Sequence, residues 1–211
     1  MTSLYLVRHG ETDWNAQRRI QGTTDIPLND MGRTQAAVTG GLLAQLDWDG
    51  IYSSPLSRAM ETARIIAAEV GLGEPVTIPE IVERNYGEAE GLDWEEIERM
   101  FPEGTIVPGR ETHEQVAVRA LDALLTLATA CPGESLIVVT HGGVIRSVLN
   151  VVDPDNTHGA ITNGSIHSFR VADGSFELIA FDDPIDELSL EYATDDLDTQ
   201  NAIEGRETLQ H

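Results

Sequence analysis

Residues 4–15 read LYLVRHGETDWN, and residues 135–143 read SLIVVTHGG. Each begins as an apolar run of strand length and stops abruptly at a polar junction where glycine follows histidine. Runs that are apolar throughout belong to strands buried on both faces, as in a parallel sheet covered by helices. Ligands of such sheets bind outside the carboxyl ends of the strands. That is where Arg8, His9 and Gly10 fall in the first stretch, and His141, Gly142 and Gly143 in the second.

The chain between and around these two runs alternates in the same way. Asn29 is placed to cap a helix through residues 28–46 with a stripe of Met31, Val38, Leu42 and Leu46. A short strand over DGIYSS (49–54) leads into a second helix. There Ser54 is expected to be the cap and Pro55 the first helical residue, followed by a stripe of Ala59, Ala63, Ile66 and Val70 and a stop at Gly71 and Gly73. PVTIPEI (75–81) reads as a strand, VERNYGEAEGL (82–92) as a loop, and DWEEIERMF (93–101) as a short helix capped by Asp93. A long helix from about Glu111 to Ala130 precedes the SLIVVT strand, VIRSVLNVV (144–152) is helical, and residues 164–171 and 175–181 form a terminal hairpin around ADG. Alternating strands and helices predict an α/β fold with a largely parallel sheet covered on both faces.

Bulk properties narrow the function. At 211 residues, 41% hydrophobic and 23% charged, the chain reads as one globular domain, residues 1–181, with an acidic tail over 182–211 that is partly disordered or docked. No apolar run is long enough to span a bilayer, and the amino terminus lacks the basic start of a signal peptide, so a cytoplasmic location is expected. The single cysteine, Cys131, fits a reducing compartment and reads as a small packed residue, not a nucleophile. A net charge of −23 argues against nucleic acid and anionic membranes as partners. All 13 basic residues are arginine, which excludes Schiff-base chemistry and favours forked recognition of anions.

The unusual residues collect on one rim: Arg8 and His9 from the first strand, Ser53, Ser54 and Arg58 around the second, His141 and Gly142 from the third. Burying such cations without an anion is costly, and a phosphoryl dianion suits two guanidinium forks and the N–H groups opening a helix. Either imidazole could attack phosphorus if neutral, and His9 is favoured because it stands between Arg8 and Gly10. A departing alkoxide needs a proton, so a carboxylic acid is required nearby. From the residues alone Glu80, Glu83, Glu88 and Glu90 are all candidates.

LVRHGET, SSPLSRAMETA, ERNYGEAEGL and VVTHGGVIR, in that order between about residues 4 and 172, resemble the histidine phosphatase superfamily, also called the phosphoglycerate mutase-like family. The resemblance implies a three-layer α/β/α sandwich around a mostly parallel mixed sheet. It also implies catalysis through a phosphohistidine with no metal or other cofactor. Carried over position by position, it makes His9 the nucleophile, with Arg8, Arg58 and His141 as the phosphate pocket. Asn15 and Gln21 would be additional phosphate contacts, Gly142 a backbone donor and Glu83 the acid. Glu90 reads as a loop-holding residue, and Asn163 to Ser165 help to shape the rim. His113, His158, His167 and His211 match no catalytic motif and are expected to be structural or superficial.

The family divides by what accepts the phosphoryl group. Mutases carry a longer insertion after the acid motif, with a lysine and paired arginines, whereas here the segment between Gly91 and Glu111 is short and lysine is absent. The expected activity is therefore hydrolysis of a small phosphate ester. A cofactor-dependent phosphoglycerate mutase and a catalytically silent phosphate-responsive module are the alternatives. VPGRETHEQVAVRA resembles a phosphatase segment opening a long helix, which makes Arg110 a candidate substrate contact, and a homodimer is common in the family.

Overall fold

The computed structural model describes residues 1–182; the acidic extension expected over 182–211 lies outside the described residues apart from Asp182. Strands β1 (Thr2–Arg8), β2 (Gly50–Ser53), β3 (Val76–Thr77), β4 (Ser135–Thr140), β5 (Ile166–Ala172) and β6 (Ser175–Ala180) form one sheet in the order β3-β2-β4-β1-β5-β6. The pairings among β1 to β4 are parallel, while β5 runs antiparallel to β1 and β6 antiparallel to β5. The sheet is thus mixed and mostly parallel, as the sequence predicts.

Side-chain alternation along β1 and β4 divides the interior into two cores. Leu4, Leu6, Leu136 and Val138 point to one face, where helices α5 (His113–Ala130) and α6 (Gly142–Val152) cover them with Val116, Ala120, Leu124, Val144 and Val148. Val7, Ile137 and Val139 point to the other, under α2 (Asp30–Leu43) and α3 (Ser57–Val70), where Leu43, Ala59, Ala63 and Ile66 meet them. A smaller cluster of Ile20, Tyr86, Ala89, Ile97 and Val107 holds the loops around the short helices α1 (Asp13–Ala16) and α4 (Trp94–Met100). Among the described residues no helix is long and apolar enough to cross a membrane.

Three local expectations are corrected. The stripe on α2 faces outward: Met31, Val38 and Leu46 are about half exposed, and the packed face is Gly32, Ala36, Thr39, Gly40 and Leu43. Small residues serve because α3 comes so close that a Cβ on Gly40 would lie 2.8 Å from the Glu69 side chain. The strand expected over 75–81 is only Val76–Thr77, after which Pro79–Ile81 form a 3₁₀ turn. Helix α3 begins at Ser57, not at Pro55, and its first N–H is capped from another loop by Asp25 Oδ1 at 2.8 Å.

The start of α2 packs directly on the loop that follows β1. A Cβ on Gly32 would stand 2.1 Å from Glu11 O, and one on Gly10 would stand 2.2 Å from Gly32 O, backbone against backbone. Neither side can yield by rotating a side chain, so Gly32→Ala is expected to lower the unfolding free energy by roughly 1–3 kcal/mol. Urea unfolding checks this, and an unchanged midpoint would contradict the close approach.

Candidate active site

The carboxyl ends of β1, β2 and β4 bring the rim residues together. His9 extends the β1 ladder by donating its N–H to Thr140 O at 3.0 Å, and its own carbonyl accepts from Asn163 Nδ2 at 2.9 Å. Gly10 N–H donates to Thr62 Oγ1 at 3.1 Å, so the backbone is anchored on both sides of the ring. His9 Nδ1 lies 2.7 Å from Gly10 O. A carbonyl only accepts, so Nδ1 carries the hydrogen and Nε2 presents a lone pair. Arg58 Nε donates to that lone pair at 3.2 Å. Burial first, then the charges of Arg58 and Arg8, hold His9 well below the ordinary histidine range, leaving the ring neutral at pH 7.

Arg58 is fully buried, and its two terminal nitrogens donate to Gly22 O at 2.7 Å and Thr24 O at 2.9 Å. Glu90 organises the loop that offers those carbonyls. Its carboxylate accepts from Thr23 N–H at 2.9 Å, Thr24 N–H at 3.0 Å, Thr24 Oγ1 at 2.6 Å and Tyr86 N–H at 3.2 Å. Gly22 has φ +55°, and a Cβ there would meet Glu90 Oε1, so glycine is required twice over. Burial lowers the Arg58 pKa to about 10, against the opposing charges of Glu83 and Asp25, and the guanidinium stays charged at neutral pH. Arg8 is also buried, donating from Nη1 to Ile161 O at 2.6 Å, and a Cβ on Gly142 would lie 3.5 Å from its Nε.

His141 caps α6, and its ring centroid is 5.1 Å from that of His9. Its Nε2 is 2.7 Å from Ser54 Oγ, while Nδ1 is buried with no partner among the described residues. Ser54 Oγ thus serves a distant ring and also accepts from Leu56 N–H at 3.4 Å, just ahead of α3. Burial, followed by Arg58, His9 and Arg8, also holds His141 well below its ordinary range.

The four glutamates separate by environment: Glu80 and Glu88 are exposed, Glu90 binds the 22–24 loop, and Glu83 is buried at the opening of α6. Glu83 Oε1 accepts from Arg84 N–H at 2.7 Å and Oε2 from Gly143 N–H at 3.3 Å. Asn15 and Gln21 are buried and joined through Thr12, whose hydroxyl donates to Gln21 Oε1 at 2.8 Å while Asn15 Oδ1 accepts from Thr12 N–H. Arg110 is half-buried, and its backbone bridges Tyr86, three residues beyond Glu83.

The sequence gives Thr62 no role and Arg119 only that of an available cation. Thr62 stands one turn after Arg58 on the same helical face, a visible signal, and its hydroxyl donates to Arg58 O at 2.8 Å. Arg119 donates to Val82 O at 2.7 Å and Glu83 O at 3.2 Å, fixing the Glu83 segment from α5; no local pattern announces such a long-range contact. Together the cluster offers a neutral imidazole lone pair, two buried guanidinium forks, donors at a helix N-terminus and a carboxyl group, which suits a compact dianion.

A profile of the histidine phosphatase superfamily (branch 1) matches residues 4–184. The chain belongs to that superfamily. The uncharacterized phosphatase PhoE of Bacillus subtilis is 38% identical over 181 residues, 84% of this chain and 93% of PhoE. A metal-independent phosphoserine phosphatase of Arabidopsis thaliana is 35% identical over 195 residues, 87% of this chain and 82% of the relative. A mycobacterial glucosyl-3-phosphoglycerate phosphatase solved with VO3 superposes with a TM-score of 0.76 at 26% identity, covering 85% of this chain and 98% of that one. Relatives named as 2,3-bisphosphoglycerate-dependent phosphoglycerate mutases match as well.

A third ring held neutral is that of His167 on β5. Its Nδ1 accepts from Asp182 N–H at 3.1 Å and its Nε2 is 2.9 Å from Ser165 Oγ; burial, then Arg146 and His158, lower its pKa to about 3. His9, His141 and His167 all titrate lower in the folded chain than in the unfolded one. Below about pH 6.5 the unfolded chain takes up protons that the folded chain refuses, so stability present above that pH is lost as the pH falls. For His167 the loss between pH 7.5 and 5.5 is about 1.4 kcal/mol. Urea unfolding at both pH values should show His167→Phe losing about that much less than the parent; equal losses would mean that this ring titrates normally.

Proposed function

We propose that the protein is a metal-independent phosphomonoesterase that hydrolyses a small phosphorylated metabolite through a phosphohistidine at His9. The observation that carries this reading is the His9 ring: neutral, fixed through Nδ1–H to Gly10 O, and aiming the Nε2 lone pair at Arg58. A phosphoryl group entering between Nε2 and Arg58 replaces that 3.2 Å contact and receives the guanidinium on its own oxygens.

In the first step Nε2 attacks phosphorus in line with the ester oxygen. Arg8, Arg58, the Gly142 N–H and His141, donating from Nδ1 when Ser54 donates to its Nε2, hold the equatorial oxygens, and the buried side-chain amides of Asn15 and Gln21 complete the pocket. Gln21 Nε2 is buried without a partner among the described residues, which fits a donor awaiting an anion. Glu83, protonated, gives its proton to the departing alkoxide as the P–O bond breaks. In the second step the same carboxylate takes a proton from water, which attacks phosphorus, breaks the N–P bond and releases phosphate with His9 restored.

Hydrolysis is favoured over mutase chemistry by where the remaining cations are spent. Arg119 binds backbone carbonyls of the Glu83 segment and Glu111, Arg84 binds Glu111 O, and Arg99 stands at the end of α4. A phosphoglycerate mutase needs cations for the substrate carboxylate; with no lysine in the chain, the sequence between Glu83 and the end of α5 offers Arg84, Arg99, Arg110 and Arg119, and of these Arg84 and Arg119 are engaged by protein groups. The phosphatase names among the relatives support the same choice.

Phosphate release should be assayed on a panel of alkyl and aryl phosphomonoesters with EDTA present, following 3-phosphoglycerate and 2,3-bisphosphoglycerate for isomerisation in parallel. Release with EDTA is expected, and His9→Ala should lower kcat at least about 10⁴-fold while circular dichroism stays that of the parent. Isomerisation without release would make the protein a mutase, and a folded His9→Ala variant of near-parental rate would exclude the phosphohistidine route.

A further inference from the structure

We infer that His113 is a positioning residue for Glu83: with Arg84, Ser147 and Gly143 it closes a hydrogen-bonded ring that holds both oxygens of the Glu83 carboxyl group. The inference rests on the reading of Glu83 as the group that protonates the leaving oxygen. His113 matched no catalytic motif in the sequence, and the proposed mechanism does not use it.

The ring can be followed atom by atom. Arg84 N–H donates to Glu83 Oε1 at 2.7 Å. The Arg84 side chain turns back, buried against the Tyr86 ring with Nε on Glu111 O, and Nη1 reaches His113 Nε2 at 2.9 Å. On its other side, His113 Nδ1 is 2.9 Å from Ser147 Oγ, and Ser147 Oγ donates to Gly143 O at 2.7 Å. Gly143 N–H then donates to Glu83 Oε2 at 3.3 Å and closes the ring. Three elements meet in it: the segment after the 79–81 turn, the first residue of α5 and the first turns of α6.

One assignment of hydrogens satisfies every link. A guanidinium nitrogen can only donate, so His113 Nε2 accepts and the ring hydrogen is on Nδ1. The hydrogen of Ser147 goes to Gly143 O, so its oxygen is available to accept from Nδ1–H. The neutral imidazole thus joins a donor to an acceptor across about the width of one ring, and ties the residue gripping one carboxyl oxygen to the residue gripping the other. Without it, α5 and α6 keep their apolar contacts, but nothing polar couples the Arg84 side chain to the α6 N-terminus along this path. Placement errors of about an ångström at a reacting group can cost on the order of a hundredfold in rate.

A proton donor matters most when the leaving group is poor, and this gives the test. p-Nitrophenolate departs without protonation, whereas an alkoxide does not. The measurement is kcat/KM, which reports steps up to ester cleavage, for p-nitrophenyl phosphate and for the fastest alkyl phosphate of the panel. His113→Phe removes both ring links and keeps the volume; Ser147→Ala breaks the next link within α6 and serves if the first variant folds poorly. Each is expected to lose about tenfold to a hundredfold on the alkyl ester and less than threefold on the aryl ester. His113→Gln, which keeps one acceptor and one donor at similar separation, should recover most of the alkyl activity. Glu83→Gln is the control and should show the same split more strongly. If Glu83→Gln splits the substrates while His113→Phe and Ser147→Ala lower both alike or neither, the positioning role is overturned and the function stands. If Glu83→Gln shows no split, the assignment of Glu83 falls and the inference with it.

Discussion

At the rim of the sheet two arginine side chains carry their charge into the protein interior, and the rest of the site is arranged around that constraint. Arg8 and Arg58 are buried beside a histidine that burial first, and then their two charges, keep neutral. Taking such ions out of water is tolerable only when their N–H groups find partners. Here they find backbone carbonyls: Ile161 O for Arg8, Gly22 O and Thr24 O for Arg58. Carbonyls satisfy the hydrogen bonds without cancelling the charge.

That choice dictates much of the surrounding chain. Backbone carbonyls must be presented by loops, and the loops must themselves be stiff. Glu90 does this for residues 22–24 by gathering their amides and hydroxyls, and Asp25 fastens the end of the same loop to the start of α3. Arg119 performs the complementary service across the molecule, where a cation gathers the carbonyls ahead of Glu83. The acid and the clamp are thus fixed by mirror-image devices, a carboxylate collecting donors and a guanidinium collecting acceptors. Both lie one layer behind the residues that would touch a substrate.

The fold was legible where burial leaves a continuous apolar signal. β1 and β4 are covered on both faces, so their runs announced themselves, and their ends marked the rim that holds Arg8, His9, His141 and Gly142. Legibility failed where a partner lies far away in sequence. Ser54 has the position of a helix cap, yet its shortest contact is to His141, and Asp25 receives the first N–H of α3. The packed face of α2 consists of glycine, alanine and threonine because α3 is close, so hydrophobicity pointed to the wrong side. The strand through 75–81 was cut short by Pro79, whose ring suits a turn and cannot donate to a ladder. Four glutamates are equivalent as letters; the family resemblance picks out Glu83, and burial at the opening of α6 sets it apart from the other three.

The central claim is that His9 Nε2 takes the phosphoryl group. Rapid acid-free quenching of the enzyme during turnover of p-nitrophenyl phosphate, followed by ³¹P NMR and peptide mapping, observes that species directly. A phosphoramidate signal, lost on acid treatment and mapped to the peptide carrying His9, is the predicted result. Turnover with no protein-bound phosphorus at any time point, together with retention at phosphorus in a stereochemically labelled ester replaced by inversion, would contradict it.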